Sequence, residues 1–214
     1  MMRSQTTPKT HQTRQTRKTV SAFAAVVIFS AVTAASAFAA STWKIDASHS
    51  KVLFTVTHMV INEVNGWFAD FEGALTQTSD STFDGAALVV HIKTATVNTG
   101  NDGRDKHLQG ADFFEADKYP ITTFTATRVK KLSNDDYDIT GILDLHGVQK
   151  PVQLQAHFNG TMKDGRGNMH AGFKATTTFN RYDYNLKWNK TLETGGMLVS
   201  DKVNLMLNME FVKQ

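Results

Sequence analysis

The 214-residue chain contains no cysteine. That absence removes disulfides, thiolate metal sites, thiol nucleophiles and a lipoprotein anchor together. Long stretches of helical periodicity are nearly missing too, which argues against a helical bundle. There is no G-x-S-x-G nucleophile elbow, and "GRGN" at 165–168 lacks the strand-to-helix setting of a phosphate loop. After residue 40 no cluster of Lys and Arg interleaves with aromatics, so nucleic acid is not an expected partner.

What is present begins with a leader. Arg3, Lys9, Arg14, Arg17 and Lys18 precede the apolar run "VSAFAAVVIFSAVTAASAFAA", in which small Ala37 and Ala39 flank Phe38. This order of basic, apolar and A-x-A parts marks a secretory signal peptide at 1–39. It predicts cleavage after Ala39, a periplasmic location and one mature domain at 40–214. The competing reading is an uncleaved anchor, against which stand Ser21, Ser30, Thr33 and Ser36 and the lack of a second hydrophobic span. The leader holds five of the 23 basic residues and none of the 20 acidic ones, leaving 18 against 20. The mature part is therefore near neutral, and its roughly 175 residues suffice for one core without covalent staples.

Period-two alternation dominates that part. Val52, Phe54, Val56 and His58 point one way while Leu53, Thr55 and Thr57 point the other. Similar runs fall at 65–76, 87–93, 121–129, 137–145, 151–158, 170–179 and 201–211, parted by turn signals such as "SNDD" and "KDGRGN". About eight strands joined by short connections predict an all-β antiparallel barrel or sandwich. In 151–158 and 201–211 one face is dry and the other wet, which suits a sheet wrapped around a single interior. The segment 99–120 breaks this rhythm: Asn101 and Asp102 cap a short helix that Gly110 stops, and Phe113 and Phe114 follow. It is either a helical crossover over one barrel mouth or a surface connection whose phenylalanines plug the core.

Chemistry is harder to find. Seven histidines remain after the leader, at 49, 58, 91, 107, 146, 157 and 170, and none has a close neighbour in sequence. His49 and His58 lie roughly 30 Å apart along an unbroken strand, so they cannot share an ion, and no metal site is expected. A hydrolase would need two facing carboxylates, for which Asp102, Asp105 and Asp112 are the candidates, yet capping and turn formation account for them as well. The aromatic set, with Phe54, Phe68, Phe71, Phe114, Phe124, Phe158 and Phe173 among it, fits either a packed core or the wall of an apolar cavity.

A family resemblance joins these pieces. "D-x-S-H-S" at 46–50, "F-x-V-x-H" at 54–58, "V-x-G-x-F-x-x-F-x-G" at 64–73 and "R-D-x-H-L" at 104–108 occur in order. They continue with "F-F" at 113–114, "Y-P-x-x-x-F" at 119–124, "G-x-L-x-L-H-G-V-x-x-P-V" at 141–152 and "R-Y-D-Y" at 181–184. Together they resemble the YceI-like polyisoprenoid-binding family of bacterial secreted proteins. The departure comes after Asp183, where the family commonly has phenylalanine and glycine and this chain has Tyr184 and Asn185. The resemblance implies an eight-stranded lipocalin-like barrel with a short helical crossover at one mouth. It also implies a non-catalytic carrier or sequestering protein for an isoprenoid-type lipid, polyprenyl or quinone, with no cofactor. Phe54, Val56, Phe68, Phe71, Phe114, Phe124, Leu143, Leu154, Phe158 and Phe173 would then wall the ligand. His58 and Arg181 would meet its head group, or serve instead as a strand-end histidine and a buried ion pair. Transient membrane contact and a homodimer are compatible with this reading. The alternatives are an interaction or stress module with a solid interior and, further off, a periplasmic hydrolase.

Overall fold

The computed structural model describes residues 1–2, 40–79, 81–193 and 195–214. The leader predicted at 1–39 lies almost wholly outside the described residues. The chain divides into units at 1–36 and 37–214, and every element below belongs to the second.

That unit is a closed antiparallel barrel. Its strands are β1 (Ser41–Ile45), β2 (Lys51–His58), β3 (Asn62–Phe68), β4 (Phe71–Gln77), β5 (Ala87–Lys93) and β6 (Val97–Asn98). After the helix α1 (Asp102–Gln109) come β7 (Ile121–Ser133), β8 (Asp136–Leu145), β9 (Val148–Lys163), β10 (Met169–Asn180) and β11 (Lys202–Lys213). β11 pairs with β1 through Phe211 to Lys213 and with β2 through Asn204 to Asn208, so β1 and β2 are two halves of one stave. β3 and β4 form the next stave in the same way, and β5 and β6 the third. With β7 to β11 the ring has eight staves and closes through the β1–β11 pairing, which matches the expected barrel and leaves only the two-residue β6 paired on one side among the described residues.

The breaks in the staves have local causes. Between β1 and β2 the ladder would leave the backbone of Glu210 short of partners. Fully buried Ser50 fills the gap, its hydroxyl accepting from the Glu210 N–H at 2.9 Å, while the Asp46 N–H donates to the Glu210 carbonyl at 2.8 Å. The segment 65–76, expected as one strand, breaks at Ala69 and Asp70, whose N–H groups turn aside to the carbonyl and hydroxyl of Thr96, both at 3.1 Å. The inward face passes from even positions in β3, with Gly66 and Phe68 buried, to odd ones in β4, with Phe71 and Leu75 buried, so the two strands are out of phase across the break.

One end of the barrel is plugged. Phe83 sits edge-on to Trp43, Phe158 and Phe173, with ring centroids 5.6, 5.4 and 5.0 Å away. The Trp43 indole N–H reaches Gln77 Oε1 at 3.0 Å, so the plug buries no unpaired indole donor. The hairpins around 134 and 164–168 lie at this end, and the 58–62 hairpin, the 145–148 turn and the 181–201 segment lie at the other.

Candidate functional site

Above the plug is a cavity of about 340 Å³. Its lining on β11 runs from Val203 to Phe211, eight residue rises or roughly 26 Å along the strand. On β2 it takes Val52, Phe54, Val56 and His58, the face that alternation selected. Room for these side chains comes partly from two strand glycines. A Cβ on Gly66 would stand 2.6 Å from Phe54 Cε1, and one on Gly141 would collide with the Phe124 ring, so both rings lie flat against bare backbone. These are glycines of the quoted family motifs, and close approach of an aromatic ring is the physical reason for them.

The crossover caps the other end. Asn101 accepts from the Arg104 N–H at 2.9 Å, which caps α1, and Gly110 closes the helix as expected. Buried Asp105 accepts from the Thr99 N–H at 2.8 Å, and Arg104 donates through Nε to the Thr99 hydroxyl at 2.7 Å. α1 thus holds Leu108, Phe113 and Phe114 over the barrel, and all three line the cavity. Of the two readings of 99–120, the mouth cap is the one observed. Arg104 and His107 are the exposed residues of the lining, which locates the passage to solvent at α1. His107 donates through Nε2 to the Asp112 carboxylate at 2.8 Å and packs edge-on against Phe113 and Trp188.

Ten of the twelve expected site residues line this cavity: Phe54, Val56, His58, Phe68, Phe114, Phe124, Leu143, Leu154, Phe173 and Arg181. Phe71 and Phe158 do not. Phe71 is 5% exposed within the cluster around Val52 and Val97, and Phe158 belongs to the plug against Phe83 and Phe173. Alternation fixes which face a residue uses but not whether its side chain reaches the cavity or packs behind it. Sequence reasoning also missed Arg104, His107 and Trp188, because a short helix and an irregular loop carry no period that points inward.

Arg181 lines the cavity from a buried position. It is 3% exposed, and its guanidinium donates to backbone carbonyls: Ser200 at 2.8 Å, Trp188 at 2.9 Å, Val199 at 3.3 Å, and Leu186. No carboxylate pairs with it among the described residues, so it is not half of a buried ion pair. Burial pushes its pKa down from the ordinary arginine value. With its donors spent on these carbonyls and on the Tyr182 hydroxyl, Arg181 acts as a clamp that ties residues 186–188 to 199–200 at the mouth. The neighbouring departure from the family pattern is harmless: Asn185 takes φ +61, a conformation that Asn tolerates where glycine is usual, and Tyr184 is buried with its hydroxyl pushed up to about 12 by desolvation.

The acid candidates stay apart from the cavity. Among the described residues no Asp or Glu lies in its lining; Asp105 is bound to Thr99 and Asp112 to His107, so no pair of carboxylates faces the cavity. A separate cluster lies on the outer wall, where Asp46, His49 and Glu210 bring one donor atom each within 4.8 Å of one another. Histidine spacing could not foresee this group, because Glu210 comes from the far end of the chain. Each member already has a protein partner: Asp46 Oδ2 meets His49 Nδ1 at 2.9 Å, and Glu210 meets His170 Nδ1 at 2.7 Å. Hydrogen bonds from Ser48 and His49 hold the Asp46 carboxyl down at about 2. Asp46 raises the pKa of His49, and Glu210 with Asp164 raises that of His170.

Comparison with known proteins follows the same outline. Residues 43–211 match the YceI-like domain. The chain belongs to the YceI-like family. Protein YceI of Escherichia coli is 42% identical over 185 residues, which cover 85% of this chain and 92% of that one. The crystal structure of the Campylobacter jejuni YCEI protein matches with a TM-score of 0.63 at 34% identity, covering 72% of this chain and 87% of the other. A "polyisoprenoid binding domain from Saccharophagus degradans" shares the fold at a TM-score of 0.56 and 19% identity, over 79% of this chain and 97% of that one. Within the YceI-like barrel, the cavity is where this chain's sequence pattern and its geometry converge.

Proposed function

We propose that this YceI-like protein binds an isoprenoid-type amphiphilic lipid, a polyprenyl chain or an isoprenoid quinone, and carries or sequesters it without chemical change. The observation that carries the reading is the cavity wall: of its side chains only His58, Thr99, Arg104, His107, Thr122, Thr177 and Arg181 are polar. An apolar chain there gains roughly 25 cal/mol for each Å² taken from water, and a wall of Val, Leu and Phe supplies that without catalytic groups. A cavity of this size falls at the lower end of the roughly 300–1,000 Å³ usual for small-molecule sites. The name of the Saccharophagus degradans neighbour supports the isoprenoid class. The polar end of the ligand rests at the mouth beside Arg104 and His107. Arg181 has no donor left for it.

Export to the periplasm belongs to the same proposal, supported by the basic, apolar and A-x-A order of the leader. A lipid cargo also requires transient membrane contact at loading. Trp188 lines the mouth and gives an optical readout. Titrating the delipidated protein with an isoprenoid quinone in mild detergent should quench its emission to saturation at one equivalent. Unchanged emission, with no quinone retained after gel filtration, would overturn the reading.

A further inference from the structure

The β2–β3 hairpin ends in Met59, Val60 and Ile61, which are 43%, 71% and 85% exposed. The Ile61 N–H meets the His58 carbonyl at 3.3 Å, closing a turn whose central residues have φ +53 and +66. Asn-Gly takes that conformation without strain, whereas a β-branched valine at φ +66 is an outlier. Elsewhere in this barrel the hairpin positions at positive φ use Asn134 and the pair His146–Gly147. Stability and solubility alone would both favour polar, flexible residues at 59–61. Three consecutive exposed apolar side chains on a strained turn therefore call for a functional account.

A second segment adds to the same patch. The Met59 N–H donates to the Leu198 carbonyl at 2.8 Å, and Val60 Cγ2 lies 3.8 Å from where a Cβ on Gly196 would stand. Met197, 49% exposed, is the next residue along. Leu198 and Val199 then line the cavity, as His58 does at the base of the hairpin. The patch is thus continuous along the chain with residues of the cavity lining.

We propose that Met59, Val60, Ile61 and Met197 form a membrane-docking tip that sets the cavity mouth against a lipid bilayer; this rests on the lipid-carrier reading. A bilayer fits better than a second copy of the chain, since a stable protein interface buries about 800 Å² on each side and this tip offers four side chains. The four side chains of the tip carry no charge, so docking works by apolar insertion and not by attraction to anionic head groups.

Flotation with phosphatidylcholine vesicles, at low and at high salt, tests the tip. The wild type is expected to float with the vesicles at both. Ile61→Asp should lower the floated fraction by roughly tenfold or more. The double variant Met59→Asn/Val60→Gly should do the same while melting no lower than the wild type, because it gives the turn its preferred residues. Flotation equal in all three proteins, no flotation of the wild type, or a concentration-dependent dimer in place of flotation would each overturn the proposal. Quinone loading from detergent is read in parallel and should be unchanged in the variants. Loading without flotation would sink the tip and spare the carrier reading, and flotation without loading would do the reverse.

Discussion

Ala156 and Ala175 face each other across β9 and β10, both are buried, and both line the cavity. Changing both to leucine adds six carbons, about 180 Å³ at about 30 Å³ for each, taking a carbon to occupy about the volume of a liquid water. That is about half of the 340 Å³ cavity. Filling an empty apolar cavity recovers at most about 24 cal/mol per Å³, so the ceiling is about 4 kcal/mol of added stability. A solid interior gives the opposite sign, because added methylenes in a packed core cost about 1–3 kcal/mol. Urea unfolding of delipidated wild type and of Ala156→Leu/Ala175→Leu reads this directly. We expect a higher midpoint at unchanged m-value, together with loss of quinone uptake. A lower midpoint would refute the cavity and favour the packed interaction module.

Three further outcomes follow from the same geometry. Arg181→Met leaves several buried carbonyls unpaired and should cost roughly 3 kcal/mol or more in urea unfolding, with hydrogen-exchange protection lost first in 186–200; protection lost evenly along the chain would argue against the clamp. Asn185→Val should destabilise by about 1–2 kcal/mol and Asn185→Gly should not, because φ +61 suits glycine and opposes a β-branched residue. The raised pKa values of His49 and His170 make their ion pairs stabilising in full below pH 6.5, and that contribution fades as pH rises through the folded-state values. The melting temperature of His170→Gln should therefore fall below that of wild type at pH 6 and converge with it at higher pH; a gap independent of pH would contradict this.

The barrel could be read from the sequence because its signal is local. A strand such as 51–58 repeats every two residues, and each repeat states which face is dry. Inward-facing Val52, Phe54 and Val56 were therefore found without any long-range information. The helix was found for a similar reason, since Asn101 and Gly110 are cap residues with their own chemistry. What could not be read depends on contacts between distant segments. Phe71 and Phe158 lie outside the cavity lining although their register partners Ile92 and Phe173 belong to it, a distinction that no single strand records. Arg181 was taken for a ligand contact or a salt-bridge partner, and its carbonyl partners lie in a loop without period. The grouping of His49 with Glu210 spans nearly the whole barrel, beyond the reach of any spacing rule.

The central claim is that an isoprenoid-type chain occupies the barrel. Protein purified from the cells that make it, without detergent, can be sprayed for native mass spectrometry and its lipid extract identified. The account predicts one isoprenoid lipid per protein in the wild type and none in Ala156→Leu/Ala175→Leu. A wild-type protein that carries no lipid, and takes up neither polyprenol nor isoprenoid quinone when these are supplied, would contradict it.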